Sequence, residues 1–222
     1  MIDPKEIFDH QFLTISNESY TIEISFEGGF CEQKTLGHLG CDKVIELNEP
    51  TQKPSVLFLK TVYPNQPQKT CTILGIDGGI YLHTADDKDN SYSVKLSDNC
   101  LILSLGFTFL CFDLIAQDII WHIRPDHAEI FEFYDLQDDY LLRGEYAIHR
   151  IDKNGNVKWS YGGMDIWVNI DGKSEVIIES DKILLTDFYN NEYVINYEGK
   201  TMKDSQSGNR TEKQKSKWWK IW

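Results

Sequence analysis

Apolar and polar residues alternate in several short segments of the chain. Between residues 20 and 26 every second side chain is large and apolar, and the residues between them are polar. A period of two is typical of a half-buried β-strand. Similar patterns predict strands over 43–47, 55–62 and 92–96, whereas hardly any segment shows the 3.6-residue period of an amphipathic helix. The pattern predicts an all-β, mostly antiparallel protein, with at most short helical segments at its termini, such as residues 4–10.

The clearest long-range signal is a repeat of about forty residues. The segments 102–113, 141–152 and 184–196 each contain two apolar runs that end in an acid or an Asn. A Trp follows the first two of these segments, as Trp121 and Trp159. A unit of about forty residues has the size of one four-stranded sheet. The region 138–200 therefore holds two copies of the unit and 98–121 a third, which predicts stacked antiparallel sheets.

The residues IDKNGNVKW, from Ile151 to Trp159, resemble the end of a blade in quinoprotein-type β-propellers, where an acid, a Gly-containing turn and a Trp follow in order. The gap from Asp152 to Trp159 is one residue shorter than usual, and the unit ending at Trp121 has Gln117 in place of the Gly. The resemblance covers about three units and implies blade-like stacked sheets; it is not extended to the quinone, and no cofactor is expected. Because a closed propeller has at least four blades, it implies an incomplete propeller whose end sheets must be covered by the N-terminal section or by a partner.

Pro64 and Pro67 interrupt the strand pattern and mark the best internal boundary. We expect a single all-β domain over residues 1–200, in which N-terminal strands (1–66) precede the blade-like repeats (67–200). A basic, aromatic tail follows at 201–222.

This tail contains six basic residues and two acids, and three of the six tryptophans of the chain lie in its last five positions. Such a segment can dock on its own acidic domain, on a partner or on a lipid surface. The acidic domain disfavours an anionic lipid surface and favours docking in cis. The candidate contact residues are Trp218, Trp219 and Trp222.

The formal net charge of −13 changes the range of possible partners. It disfavours nucleic acid, whose phosphates such a protein would repel, and favours a protein with a basic surface. The five cysteines form an odd set without a CxxC pair, which predicts reduced thiols and a cytoplasmic location. No segment approaches the length of a transmembrane span or has the apolar run of a signal peptide.

Candidate chemistry is sparse. Asp126 and His127 lie close together after Trp121, and Asp165 follows a Gly-Gly pair. These three residues are candidate contacts for a ligand or a partner, in loops between the repeats. Without an HxH or HExxH spacing, a solvated loop is favoured over a metal site, and no metal is expected. The chain has no GxSxG, P-loop or GxGxxG motif, so no catalytic residue is predicted.

These observations favour a non-catalytic domain that binds another protein. Acidity, size and strand pattern also make the chain similar to acidic, uncharacterised bacterial proteins of the immunity type, which implies an inhibitor of a basic toxin. One alternative is a small-ligand receptor or metal-dependent enzyme with a site around Asp126, His127 and Asp165. A structural scaffold without a ligand is the other alternative.

Overall fold

The computed structural model describes residues 10–27, 41–47, 55–63, 69–79, 81–85 and 90–204. In these ranges every regular element is a β-strand, and the strands form four sheets. The predicted all-β class is therefore confirmed. The helical turn predicted over 4–10 lies outside the described residues, apart from His10, which begins the first strand.

The first sheet, here called the N-sheet, is mostly antiparallel and has the strand order β1-β2-β4-β5-β3. Only β3 pairs in parallel, with β5. The predicted boundary at Pro64 and Pro67 lies outside the described residues, and the strand that follows it pairs with β4 in this sheet. The strands are β1 His10–Ser16, β2 Thr21–Glu27, β3 Lys43–Glu46, β4 Ser55–Val62 and β5 Lys69–Ile76.

Three four-stranded sheets follow, and in each of them consecutive strands pair antiparallel in chain order. They correspond to the three predicted repeats. Sheet 1 contains β6 Val94–Ser97, β7 Cys100–Leu105, β8 Thr108–Asp113 and β9 Asp118–Ile123. Sheet 2 contains β10 Ile130–Leu136, β11 Asp139–Gly144, β12 Ala147–Ile151 and β13 Val157–Gly162. Sheet 3 contains β14 Val176–Ile178, β15 Ile183–Thr186, β16 Glu192–Ile195 and β17 Thr201–Asp204.

The four sheets stack in chain order through three apolar layers. The N-sheet packs on sheet 1 through buried residues such as Leu57 and Leu110. Sheet 1 packs on sheet 2 through an aromatic cluster in which the Phe109 and Phe133 rings are 5.1 Å apart. Sheet 2 packs on sheet 3 through residues that include Tyr193. The result is an incomplete, propeller-like stack, and the N-sheet covers one face of sheet 1, as the end sheet of such a stack requires.

The cysteines differ from the sequence-based expectation of reduced thiols. Cys41 and Cys71 form a disulfide across 30 residues of sequence. The parallel pairing of β3 with β5 brings them together, since Asp42 donates its backbone N–H to the Cys71 carbonyl at 2.9 Å. Cys100 and Cys111 are free, and burial is the main cause that raises the pKa of Cys111 to about 12.

Candidate interaction surface at the open end of the stack

A tryptophan joins each of sheets 1 and 2 to the sheet that follows. The Trp121 indole donates its N–H to the Lys153 carbonyl at 3.0 Å and lies against Gly155. Trp159 donates in the same way to the Tyr197 carbonyl at 2.8 Å and lies against Gly199. The Gly and Trp of the repeat thus have a packing role: the Trp of one sheet docks on the last turn of the next sheet.

The turn of sheet 1 that corresponds to these glycine turns contains Gln117, which has a φ of 51°. Its amide nitrogen donates to the Thr61 hydroxyl at 3.1 Å, and its amide oxygen accepts from the Thr72 hydroxyl at 3.0 Å. All three side chains are buried. The departure from the Gly pattern at Gln117 therefore marks a different, hydrogen-bonded junction between sheet 1 and the N-sheet.

The register shows how the stack ends at sheet 3. Each of sheets 1, 2 and 3 has an irregularity at the same place between its third and fourth strands. In each sheet, the four residues that lie side by side across the four strands just before this irregularity form one row. The row reads Lys95, Ile102, Cys111 and Trp121 in sheet 1, Tyr134, Leu141, Arg150 and Trp159 in sheet 2, and Ile177, Leu184, Val194 and Lys203 in sheet 3.

Lys203 thus occupies the position at which sheets 1 and 2 carry their docking Trp. The apolar members of its row lie on the outer face of sheet 3, the face opposite sheet 2, and Ile177 is 47% exposed there. A groove of about 420 Å³ follows this face. Its lining includes Leu184, Val194, Thr186 and Glu192. Within the described part of the chain, no further strand follows β17 to cover this face.

A second groove, of about 560 Å³, runs along the first strands of sheets 2 and 3. It shares Ser174 and Ile177 with the groove on the outer face, so the two are continuous. Its lining combines aromatic, aliphatic and polar residues, among them Tyr92, Val176 and Asp135. Lys95 lies 4.9 Å from the centre of the Tyr92 ring and pairs with Asp135.

Exposed acidic side chains recur at one end of the stack, here called the turn end, which contains the first and third turns of sheets 1, 2 and 3; Lys153 and Lys200 are exposed at the same end. The Trp121 and Trp159 hydrogen bonds hold these turns on the same side in successive sheets. Glu179 there pairs with Lys182, and Asp118 pairs with Lys43. Other acids of the turn end with exposed side chains are Asp98, Asp138, Asp181 and Glu198.

Of the predicted contact residues, Asp126 has a structural role. One of its carboxylate oxygens accepts the backbone N–H groups of Tyr146 and Ala147 at 3.2 and 3.0 Å, and its side chain is 4% exposed. His127 is exposed on the same connection, between β9 and β10. Asp165 lies on the next connection, between β13 and β14, and accepts the Ile166 N–H at 2.9 Å. The structure thus places Asp126 and Asp165 in successive connections, each bound to backbone. Trp218, Trp219 and Trp222 lie outside the described residues.

Asp126 also faces a buried histidine that sequence reasoning missed. His149 is 2% exposed, and its Nε2 lies 3.6 Å from the Asp126 carboxylate. Its Nδ1 is hydrogen-bonded to the Ser160 hydroxyl at 2.8 Å. Burial lowers the pKa of His149, and the Asp126 charge opposes this effect without reversing it. The pair therefore consists of a neutral imidazole beside a carboxylate.

A charged network centred on Arg143 connects sheets 2 and 3. Its guanidinium donates to Glu132 at 2.8 Å and to the Trp167 carbonyl at 2.7 Å, and lies 3.7 Å from Glu175. Burial acts to raise the pKa of Glu132, but the Arg143 charge and several hydrogen bonds, among them one from Tyr134, outweigh it and lower that pKa. The opposite charges compensate one another, and the Arg143 hydrogen bond to the Trp167 carbonyl fixes the connection that leads into sheet 3.

Other site classes receive no support from the described residues. In those ranges no group of three or more His, Cys, Asp or Glu side chains has a metal-binding arrangement. Among the same residues, no helix has the length and apolar character needed to cross a membrane.

Comparison with known proteins finds only solved structures of low similarity. No family model and no curated protein matches the chain. Among solved structures, BamB from Moraxella catarrhalis has a TM-score of 0.43 at 6% identity over 83% of this chain and 42% of its own. The β-propeller domain of Myceliophteria thermophila Cps50 (Swd1) has a TM-score of 0.42 at 10% identity, over 68% and 56%. A chain of the mitotic checkpoint complex has a TM-score of 0.41 at 11% identity, over 82% and 54%.

This chain therefore spans about half the length of the solved chains that it matches. The four-stranded sheets that stack in chain order confirm the propeller-like part of the sequence resemblance. The similarity to immunity-type proteins has no support in the comparisons.

Proposed function

We propose that this protein is a non-catalytic binding domain whose turn end recognises a protein with a basic surface. The observation that carries the proposal is the recurrence of exposed acids at this end, with Asp98, Asp138 and Asp181 in the first turns of sheets 1, 2 and 3. Because the sheets form a packed stack, these carboxylates are presented on a rigid support. Charge complementarity of this kind raises association rates and discriminates against acidic competitors.

The net charge of −13 supports the same function. In its sharper form, the partner is a basic toxin and this protein is its inhibitor. That form adds a requirement: the partner must become inactive when it forms a stoichiometric complex with this protein. The solved structures of propeller type are compatible with a binding role, but their similarity scores are too low to add to it.

The test is capture of partners from native lysate with three full-length proteins. The first is the wild type, and the second carries Asp98→Asn, Asp138→Asn and Asp181→Asn at the turn end. The third is a matched control with three neutralised acids at the opposite end: Glu145→Gln, Asp165→Asn and Asp171→Asn. Both variants change the net charge equally, and Asn tolerates the positive φ of 51° at Asp98.

We expect a basic protein to be captured by the wild type and the control variant at low salt, and to be lost with the turn-end variant and at high salt. Absence of any salt-sensitive basic partner, or equal loss with both variants, would contradict the proposal. For the inhibitor form, the captured protein is assayed with and without one equivalent of the wild type, and unchanged activity would exclude inhibition.

A further inference from the structure

The outer face of sheet 3 requires a cover, and a further sheet of the same kind is poorly suited to supply it. In sheets 1 and 2 the face toward the next sheet carries a Trp that fits against a glycine turn. Sheet 3 has Lys203 at that position, and a flexible ammonium side chain cannot make this contact. The apolar neighbours of Lys203 nevertheless remain on the face, where Ile177 is 47% exposed.

The chain itself leaves the described structure beside this face. Strand β17 ends at Asp204, which is the register partner of Tyr193 on β16. Neighbouring strands are about 4.8 Å apart, and Leu184 lies on β15, two strands away from β17. The distance between them is therefore about 10 Å. Trp218 follows Asp204 by fourteen residues. Fourteen residues of random coil would span roughly 20 Å, which is enough for the indoles of the tail to reach the whole face.

The composition of the tail matches the chemistry of the surface. Residues 205–222 contain Trp218, Trp219, Ile221 and Trp222, and their basic residues outnumber the single acid, Glu212. The outer face is apolar along the row that contains Leu184 and Val194. Glu192 and Lys173 line the same groove, and Asp135 in the adjoining groove pairs with Lys95.

We infer that residues 205–222 dock in cis on the outer face of sheet 3, with their tryptophan side chains on the row of Ile177, Leu184 and Val194. Their basic side chains lie on the side of the row that carries Glu192. Attachment to β17 gives the tail an effective concentration in the millimolar range, which favours it over a second copy of the chain at ordinary protein concentrations. The tail thus covers the face on which a further sheet would otherwise pack. This inference is independent of the partner proposed for the turn end.

The test uses the full-length protein labelled with 5-fluorotryptophan and observed by ¹⁹F NMR. The six signals are assigned with single Trp→Phe variants. We expect the signals of Trp218, Trp219 and Trp222 to differ from free indole and to be protected from a soluble paramagnetic agent.

Leu184→Lys places a charge in the centre of the row. It should shift the three tail signals to the free position and raise their paramagnetic relaxation several-fold, while the Trp121 signal stays unchanged and reports an intact fold.

The matched control is Ile120→Lys, at a side chain that is 53% exposed on β9 of sheet 1, and it should leave the tail signals unchanged. If Leu184→Lys unfolds the protein, Ile177→Lys tests the same contact at a more exposed position. Tail signals at the free indole position in the wild type would overturn the inference, as would signals that neither row variant shifts. Tail signals that move to the free position on tenfold dilution would instead indicate that a second copy supplies the cover, and would overturn docking in cis.

Discussion

The indole of Trp159 lies so close to Gly199 of the next sheet that a Cβ atom at Gly199 would be 2.7 Å from the Cδ2 atom of the ring. Trp121 and Gly155 repeat this relationship one sheet earlier, with a corresponding distance of 2.8 Å. The two contacts set the spacing between sheets at the turn end. They also explain why the Gly and the Trp recur together in the repeat.

Gly199→Ala is predicted to destabilise the protein more than Gly172→Ala. Both glycines have a φ of +74°, so both substitutions introduce the same backbone strain, of about 1–2 kcal/mol. Only Gly199 faces an indole, whereas no heavy atom lies within 4 Å of a Cβ at Gly172. Overpacking should add about 1–3 kcal/mol at Gly199. Urea unfolding of the two variants measures the difference, and equal losses would show that the Trp159 contact is not tight.

Arg143→Met is predicted to lower the free energy of unfolding by about 3 kcal/mol, the lower end of the range for buried pairs, because it leaves the half-buried Glu132 and Glu175 without their cation. The double variant Arg143→Met with Glu132→Gln should recover part of this loss, since one of the uncompensated charges is then absent. A double-mutant cycle from urea unfolding measures the coupling. Strictly additive losses would indicate that the two side chains do not interact.

The free energy of unfolding should decrease as the pH falls below about 6.5, in part because of His149. Its pKa is lowered in the folded protein, so the unfolded chain binds the proton at a higher pH than the native state does. The contribution of His149 is therefore complete above pH 6.5 and is lost as the pH falls toward its folded pKa. His149→Gln should flatten the pH profile in this window. The control His122→Gln, at an exposed side chain, should retain the wild-type profile.

The Cys41–Cys71 disulfide should contribute about 3–4 kcal/mol, the value that the loop-entropy model gives for a closed loop of 30 residues. Reduction should therefore lower the denaturation midpoint of the wild type and have no effect on the Cys41→Ser, Cys71→Ser double variant. Alkylation of the unfolded, unreduced protein followed by mass spectrometry shows whether both thiols are blocked. Alkylation of Cys41 and Cys71 without prior reduction would contradict the pairing.

The repeat could be predicted from the sequence because its signals are local. Asp152 accepts backbone N–H groups within its own turn, and Gly155 supplies the positive φ that the turn requires. Both roles depend on residues a few positions apart. The size and number of sheets 1, 2 and 3 follow from the same spacing.

The candidate site was less predictable because its contacts join distant segments. The acidity of Asp126 and its proximity to His127 suggested a ligand contact, yet its carboxylate is occupied by the backbone of the β11–β12 turn, 20 residues away. The disulfide depends on a parallel pairing that the sequence pattern did not indicate. The position of Lys203 became informative only when the register aligned it with Trp121 and Trp159.

The most direct test of the proposed function is the association rate constant of the purified protein with the basic partner captured from lysate, measured by stopped flow at several salt concentrations. Neutralisation of Asp98, Asp138 and Asp181 should lower this rate constant at least tenfold at low salt and reduce its salt dependence, because these carboxylates steer the encounter. The control with Glu145, Asp165 and Asp171 neutralised should associate at nearly the wild-type rate. Equal association rates for the two variants would contradict recognition through the turn end.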